Sequence, residues 1–250
     1  MPRPTKRTGQ PVYDSQLALR ELTARDPKLG RLIERAGPFN LKLASTLSPF
    51  EALLESIIYQ QLHGKAAAAI HARLLASFAE PGPTGSLLHP APHPTAEHLL
   101  NAPNEQLRAA GLSHNKSLAI RDLAAKTLDG TVPTLPRIRR MSDEDIIEHL
   151  TQVRGIGKWT VEMFLIFRLG RPDVLPVSDY GVRKGFALTF GTLKAADKVT
   201  PADLPKRAEM EARAKRWHPW CSVASWYMWR ACDLATSVTP APAKMPRPKK

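Results

Sequence analysis

Two glycines flanking a single residue, Gly155 and Gly157, and an aspartate just after a proline turn, Asp179, have the types and spacing best suited to chemistry in this chain. The glycines interrupt a helical pattern. Ile146, Ile147, Leu150 and Val153 share one helical face, and Ser142 with Asp145 is placed to form a capping box at its start. Helical spacing resumes at Val161, Phe164 and Leu165, so the segment reads as helix, tight glycine hairpin, helix. Glycine permits positive φ and lets a partner come close to the backbone. Amides opening the second helix then point outward, ready for an anion such as a phosphate. An ordinary turn between antiparallel helices would use the same glycines. Asp179, preceding a helix, suits an N-cap by position alone. A carboxylate there could also steady a developing positive charge, or orient and deprotonate an attacking water.

The elements that must position these residues read as helices throughout. Helical material from about Asp14 to Ala36 breaks at Asp26-Pro27, where aspartate caps and proline restarts a helix. Ser48-Pro49-Phe50-Glu51 is a strong helix start, followed by a buried stripe of Phe50, Leu53, Leu54, Ile57, Ile58 and Gln61. Alanine-rich Lys65–Phe78 gives the next helix, and residues 79–94, with five prolines and two glycines, a long surface loop. Short helices follow at 95–101, 104–110 and 114–128, and later ones at about 180–190, 202–216 and 220–235, with Thr200-Pro201-Ala202-Asp203 capping the second of these. Period-two alternation is never sustained, so the expected fold class is all-α.

At 250 residues and 43% hydrophobic content the chain can bury a sizeable core. No apolar run reaches the ~18 residues of a membrane span, and no signal-peptide pattern opens the chain, which points to an intracellular protein. The net charge of +13 falls to +6 without Arg3, Lys6, Arg7, Lys244, Arg247, Lys249 and Lys250, the cations of two acid-free tails. Residues 1–13 and 237–250 are expected to be disordered basic tails. A body of +6 suits nucleic acid without establishing it. The only cysteines, Cys221 and Cys232, share one expected helix at a separation of about 16 Å, too far for a disulfide. They cannot supply the four thiolates of an iron–sulfur cluster, and no Cys/His spacing matches a zinc pattern.

Leu150-x-x-Val153-x-Gly155-Ile156-Gly157-x-x-Thr160, followed after an apolar helix by Pro176-x-x-Asp179, resembles the helix–hairpin–helix signature of the DNA base-excision glycosylase superfamily. Trp217-x-Pro219-Trp220-x-Ser222-x-Ala224 resembles a block of the alkylated-base branch, 3-methyladenine DNA glycosylase II, and Ser48-Pro49-Phe50-Glu51-Ala52 through Ile57–His63 a third family stretch. The resemblance covers roughly residues 26–235. It implies a two-lobed helical bundle: 14–47 plus 172–236 as a discontinuous lobe, and 48–171 as a central lobe holding the helix–hairpin–helix at about 142–170. It implies the compact form, without the β-rich N-terminal domain of some bacterial relatives.

The resemblance assigns the catalytic role to Asp179. In members that also cut the strand, a nucleophilic lysine stands just before the hairpin threonine, where this chain has Trp159. Lys158 is one residue earlier, about 100° away on a helix, so a monofunctional hydrolase is expected. Trp159, Trp229 and Tyr59 are the candidates for the base pocket, the lesser alternative being a core indole at 159, and most tryptophans of the C-terminal run should be packing. Alkylation makes a purine cationic, and a π-rich pocket favours such a cation by about 0.5–2 kcal/mol. Candidates for DNA contact are Gln61 as the wedge replacing an extruded base, His63, Ser113, Lys116, Gly155, Gly157, Lys158 and Thr160. An exposed loop histidine at 63, a helix cap at Ser113 and a solvated Lys116 are the plain alternatives. No cofactor is expected to be required. The resemblance implies a monovalent cation, Na+ or K+, on the backbone carbonyls of Thr151, Val153 and Ile156.

The resulting expectation is a monomeric base-excision repair glycosylase that hydrolyses the N-glycosidic bond of alkylated purines, such as 3-methyladenine and 7-methylguanine, in damaged double-stranded DNA. It would leave an abasic site and work in a bacterial cytoplasm at the nucleoid, or in a nucleus. The rivals are a non-catalytic helix–hairpin–helix DNA-binding protein, with no use for Asp179, and a glycosylase for another damaged base.

Overall fold

A computed structural model describes residues 9, 11, 13–45, 48–79, 93–191, 193 and 199–238, and among them every regular element is helical. The chain divides into two compact units, residues 1–43 with 170–250 and residues 44–169. In chain order the helices are α1 (Ser15–Arg25), α2 (Pro27–Ala36), α3 (Pro49–Tyr59), α4 (Gly64–Ala76), α5 (Ala96–Asn101), α6 (Asn104–Ala109) and α7 (His114–Leu128). Then come α8 (Leu135–Ile138), α9 (Asp143–Leu150), α10 (Lys158–Phe164), α11 (Tyr180–Phe190), α12 (Arg207–Ala214) and α13 (Cys221–Val238). No described helix is long and apolar enough to cross a membrane.

Local caps set most of these starts. The Ser48 amide donates to the Glu51 carboxylate at 3.1 Å while the Glu51 amide donates to the Ser48 hydroxyl at 3.2 Å, with Pro49 at the first helical position. Asp14 caps α1 and Asp26 caps α2. Ser142 caps α9 through one bond, from the Asp145 amide at 3.1 Å, and the reciprocal half of the expected capping box is not among the described bonds. The expected helix at 202–216 is instead a 3-10 turn, Pro201–Asp203, followed by α12. Pro205 pushes Leu204 into an extended conformation (φ −87°, ψ 138°), and the Thr200–Asp203 box closes only the turn.

In the 44–169 unit, α3 lies against α4 and α7 with Leu53, Leu54, Ile57 and Ile58 fully buried, each contributing about 1.5–3 kcal/mol. α9 packs on α10, which runs on into a π-helical turn, Leu165–Leu169. In the other unit α11 lies along α13, and α2 packs on α1 and α13. α11 and α13 meet at backbone distance: a Cβ on Gly185 would fall 1.9 Å from the Met228 carbonyl oxygen.

The tails at 1–13 and 237–250 and the loop at 79–94 lie largely outside the described residues. Tyr13 departs from the reading of a tail. Its ring packs against Trp220 and Phe39, at centroid distances of 5.9 and 6.5 Å. Residues 237 and 238 are the last of α13.

Candidate functional site

Within the 44–169 unit the glycine hairpin is closed by its own backbone, the Ile156 amide donating to the Val153 carbonyl at 3.0 Å. Only Gly155 needs glycine's freedom, with φ at 79°. Gly157 has an ordinary φ of −95°. What distinguishes Gly157 is open space, since a Cβ there would meet nothing within 4 Å. Gly157 is the N-cap of α10 and no side chain caps the helix, so its first amides keep their outward donors.

Two side chains brace this hairpin from neighbouring helices. The Gln60 amide nitrogen, just past α3, donates to the Gly155 carbonyl at 2.8 Å. The Asp122 carboxylate on α7 accepts the Arg154 amide at 2.7 Å and the Lys126 ammonium at 2.6 Å. Burial works to raise the Asp122 carboxyl, and these bonds outweigh it and hold it below the ordinary carboxylate value. Gln60 stands inside a family-like stretch, so its neighbourhood was a signal. Nothing local marks Asp122.

Beside the hairpin lies a cavity of about 720 Å³ whose lining includes Tyr59, Gln60, Gln61, Gly155, Trp159 and Thr160, within the usual range of small-molecule sites. Trp159 is 46% exposed, which removes the alternative of a core indole. Lys158 is not among the lining residues. Its ammonium lies 3.8 Å from the Glu162 carboxylate, one turn on, and its side chain is 53% exposed. Tyr59 closes α3 and meets His71 edge-on at 6.4 Å. Gln61 holds a left-handed backbone, φ 56°, which is uncommon for a residue with a side chain. His63 is exposed at the N-cap of α4 and makes no side-chain cap bond.

Ser113 takes the cap role, accepting the Lys116 amide. Lys116 corrects the reading of a solvated lysine. Its ammonium is half-buried and donates to the Ile58 and Gln60 carbonyls, tying α7 to the end of α3, and burial lowers its pKa. Of the three carbonyls expected to hold a cation, that of Val153 already accepts the Ile156 amide and keeps a second lone pair.

In the unit made of 1–43 and 170–250, Asp179 is the N-cap of α11. Its Oδ1 accepts both the Val182 amide and the Trp229 indole N–H, each at 2.8 Å. Sequence reasoning passed over Gly181. A Cβ there would fall 2.6 Å from Trp229 Cδ1 and 3.2 Å from Asp179 Oδ1, so glycine is what admits the indole to the carboxylate. The other tryptophans of the run serve packing and anchoring. Trp217 is fully buried and donates to Asp26 at 3.0 Å, Trp220 donates to Glu21 at 2.9 Å, and Trp226 meets Phe39 edge-on at 5.1 Å.

A family model described as HhH-GPD superfamily base excision DNA repair protein matches residues 54–210. DNA-3-methyladenine glycosylase 1 of Schizosaccharomyces pombe is 34% identical over 230 residues, 92% of this chain and 90% of that protein. A solved structure of a 3-methyladenine DNA glycosylase from the same organism, in complex with abasic DNA, matches with a TM-score of 0.67 at 32% identity, covering 86% of this chain and 95% of that one. The structure of a DNA-3-methyladenine glycosidase from Bacillus halodurans matches with a TM-score of 0.71 at 31% identity, covering 88% and 91%.

Proposed function

This chain belongs to the HhH-GPD superfamily of base excision DNA repair proteins, and on that premise we propose that it hydrolyses the N-glycosidic bond of alkylated purines, such as 3-methyladenine and 7-methylguanine, in duplex DNA. The product is an abasic site. As the bond to the base breaks, positive charge builds on the sugar, and Asp179 steadies that charge and orients or deprotonates the water that replaces the base. An alkylated purine carries a positive charge of its own, so it leaves readily and suits π faces such as those that Trp159 and Tyr59 offer in one unit and Trp229 in the other.

The observation that carries the reading is the indole at position 159: exposed, lining a cavity, and standing where a strand-cutting enzyme of this resemblance would have its lysine. With Lys158 beside Glu162 and absent from the cavity lining, the enzyme acts through water and forms no Schiff base. Gln61 serves as the wedge, the amides at Gly157, Lys158 and Thr160 take phosphate, and His63 and Ser113 flank the duplex. Lys116 acts by holding the end of α3 in place. The carbonyls of Thr151, Val153 and Ile156, an all-oxygen set, would hold Na+ or K+ and add positive charge beside the phosphate. The enzyme works as a monomer in the compartment that holds DNA, a bacterial nucleoid or a nucleus.

The test is to incubate the protein with methylated duplex DNA and identify the bases released. Asp179→Asn should abolish release while duplex binding persists, and borohydride should trap no covalent adduct with the wild-type chain. Undiminished release by Asp179→Asn would remove the assigned chemistry, and a trapped adduct would remove the monofunctional mechanism.

A further inference from the structure

Away from the hairpin, three side chains of different donor chemistry converge at the start of α13. Asp173, His218 and Cys221 each offer an atom, and the three atoms lie within 4.8 Å of one another. We propose that they form a binding site for a thiophilic divalent cation, zinc foremost, which clips the segment leading to Asp179 onto the first turn of α13. The proposal does not depend on the glycosylase reading.

The spacing fits coordination. Cys221 Sγ lies 3.7 Å from His218 Nδ1, close to the edge of about 3.5 Å expected of a tetrahedron with Zn–S about 2.3 Å and Zn–N about 2.0 Å. Asp173 Oδ2 stands 2.8 Å from the same ring nitrogen, so an ion taking the place of the shared proton opens that contact by about half an ångström and brings the Asp173–Cys221 separation, now within 4.8 Å, to about 3.5 Å. One nitrogen, one thiol and one carboxylate suit zinc better than the hard cations calcium or magnesium. On binding, the Cys221 thiol releases its proton to solvent, and His218 coordinates through Nδ1 with its ring proton on Nε2. Water takes the fourth position.

The ligands are already held in place. The second oxygen of Asp173 accepts the Cys221 amide at 3.2 Å, leaving Oδ2 for the ion and supplying the outer bond that orients a metal-binding carboxylate. Ser222 fastens the backbone on both sides of Asp173. Its amide donates to the Pro172 carbonyl at 2.9 Å, its hydroxyl to the Arg171 carbonyl at 2.6 Å, and the hydroxyl accepts the Val174 amide at 3.0 Å. Arg25 holds the His218 carbonyl at 2.6 Å. Cys221 is fully buried while the His218 side chain is 56% exposed, so the ion has a path in on the histidine side. His-x-x-Cys is visible in the sequence, but its third ligand lies 45 residues earlier and no spacing rule reaches it.

Cobalt(II) is the probe, titrated into the full-length chain free of any affinity tag and followed by optical absorption. One equivalent should produce thiolate-to-cobalt charge transfer and the intense visible bands of tetrahedral coordination, and one equivalent of zinc should erase both. Cys221→Ser should abolish the charge-transfer band, and Cys232→Ser should leave it unchanged. His218→Asn, at an exposed side chain that leaves the core intact, should weaken binding by about tenfold or more. At equal zinc concentration the melting temperature of the wild-type chain should rise more than that of His218→Asn. No stoichiometric thiolate band in the wild-type chain, or a band that survives Cys221→Ser, would overturn the proposal.

Discussion

The indole N–H of Trp229 and the main-chain amide of Val182 bond the same oxygen of Asp179, each at 2.8 Å. A helix cap and the carboxylate proposed to act on the sugar are thus one side chain, oriented by its own helix on one side and by α13 on the other. The cap fixes where the carboxylate is. The indole fixes how it is turned.

Trp229→Phe keeps the ring and removes the donor. A hydrogen bond to a charged group is worth about 1.5–3 kcal/mol, so single-turnover excision should fall roughly ten- to a hundredfold with duplex affinity little changed. Gly181→Ala should reproduce that loss by displacing the indole. Rates under single-turnover conditions, beside a duplex binding curve for each variant, check the pair.

The two hairpin glycines should separate by assay. Gly155→Ala forces a side chain into a left-handed conformation at a cost of about 1–2 kcal/mol and should lower the melting temperature. Gly157→Ala meets no strain and no neighbour. It should melt like the wild type, yet bind duplex more weakly because its methyl would stand at the proposed phosphate contact. Thermal melts and binding at fixed salt discriminate the two.

Gln60→Ala and Asp122→Ala each release one brace on the hairpin backbone. At about 0.5–1.5 kcal/mol per bond, each should weaken binding of intact and damaged duplexes alike by roughly two- to tenfold. A loss confined to damaged DNA would instead place these residues in lesion recognition.

Asp26 is fully buried and accepts two bonds from Arg213, at 2.8 and 2.7 Å, one from Trp217 and one from the Leu29 amide. Burial alone would raise its carboxyl, but the bonds from Arg213 and Trp217 dominate and its pKa is lowered from 3.8. A carboxylate depressed on folding adds stability above its unfolded pKa and loses it as pH falls through the folded one. The stability gap between wild type and Asp26→Asn should therefore be full at neutral pH and shrink below about pH 4. Arg213→Ala leaves a buried charge unpaired and should cost about 3–5 kcal/mol. Urea melts across pH check both.

What was legible in the chain was what a few neighbouring residues decide. Ser48-Pro49, Asp26-Pro27 and Asp179 announce helix starts because the capping group and the amide it serves are three residues apart. The glycine hairpin is read the same way. Lys116 was misread because its acceptors come from a helix 56 to 58 residues away, so its environment is a product of packing. The same reason hid Gln60 on Gly155, 95 residues apart, and Asp122 on Arg154. The helix expected across 202–216 failed on a local rule passed over, proline's veto on helical backbone at Leu204.

Gly185 gives the pair at Asp179 its tolerance. A methyl group there would collide with the Met228 carbonyl, so α11 and α13 seat against each other without side chains to cushion them. Trp229 directly follows Met228, and Asp179 caps the helix on which Gly185 stands. Any residue larger than hydrogen at 185 would prise the helices apart, and the 2.8 Å contact that aims the carboxylate would be the first to open. The bearing of the Asp179 carboxylate thus hangs on a missing side chain at Gly185.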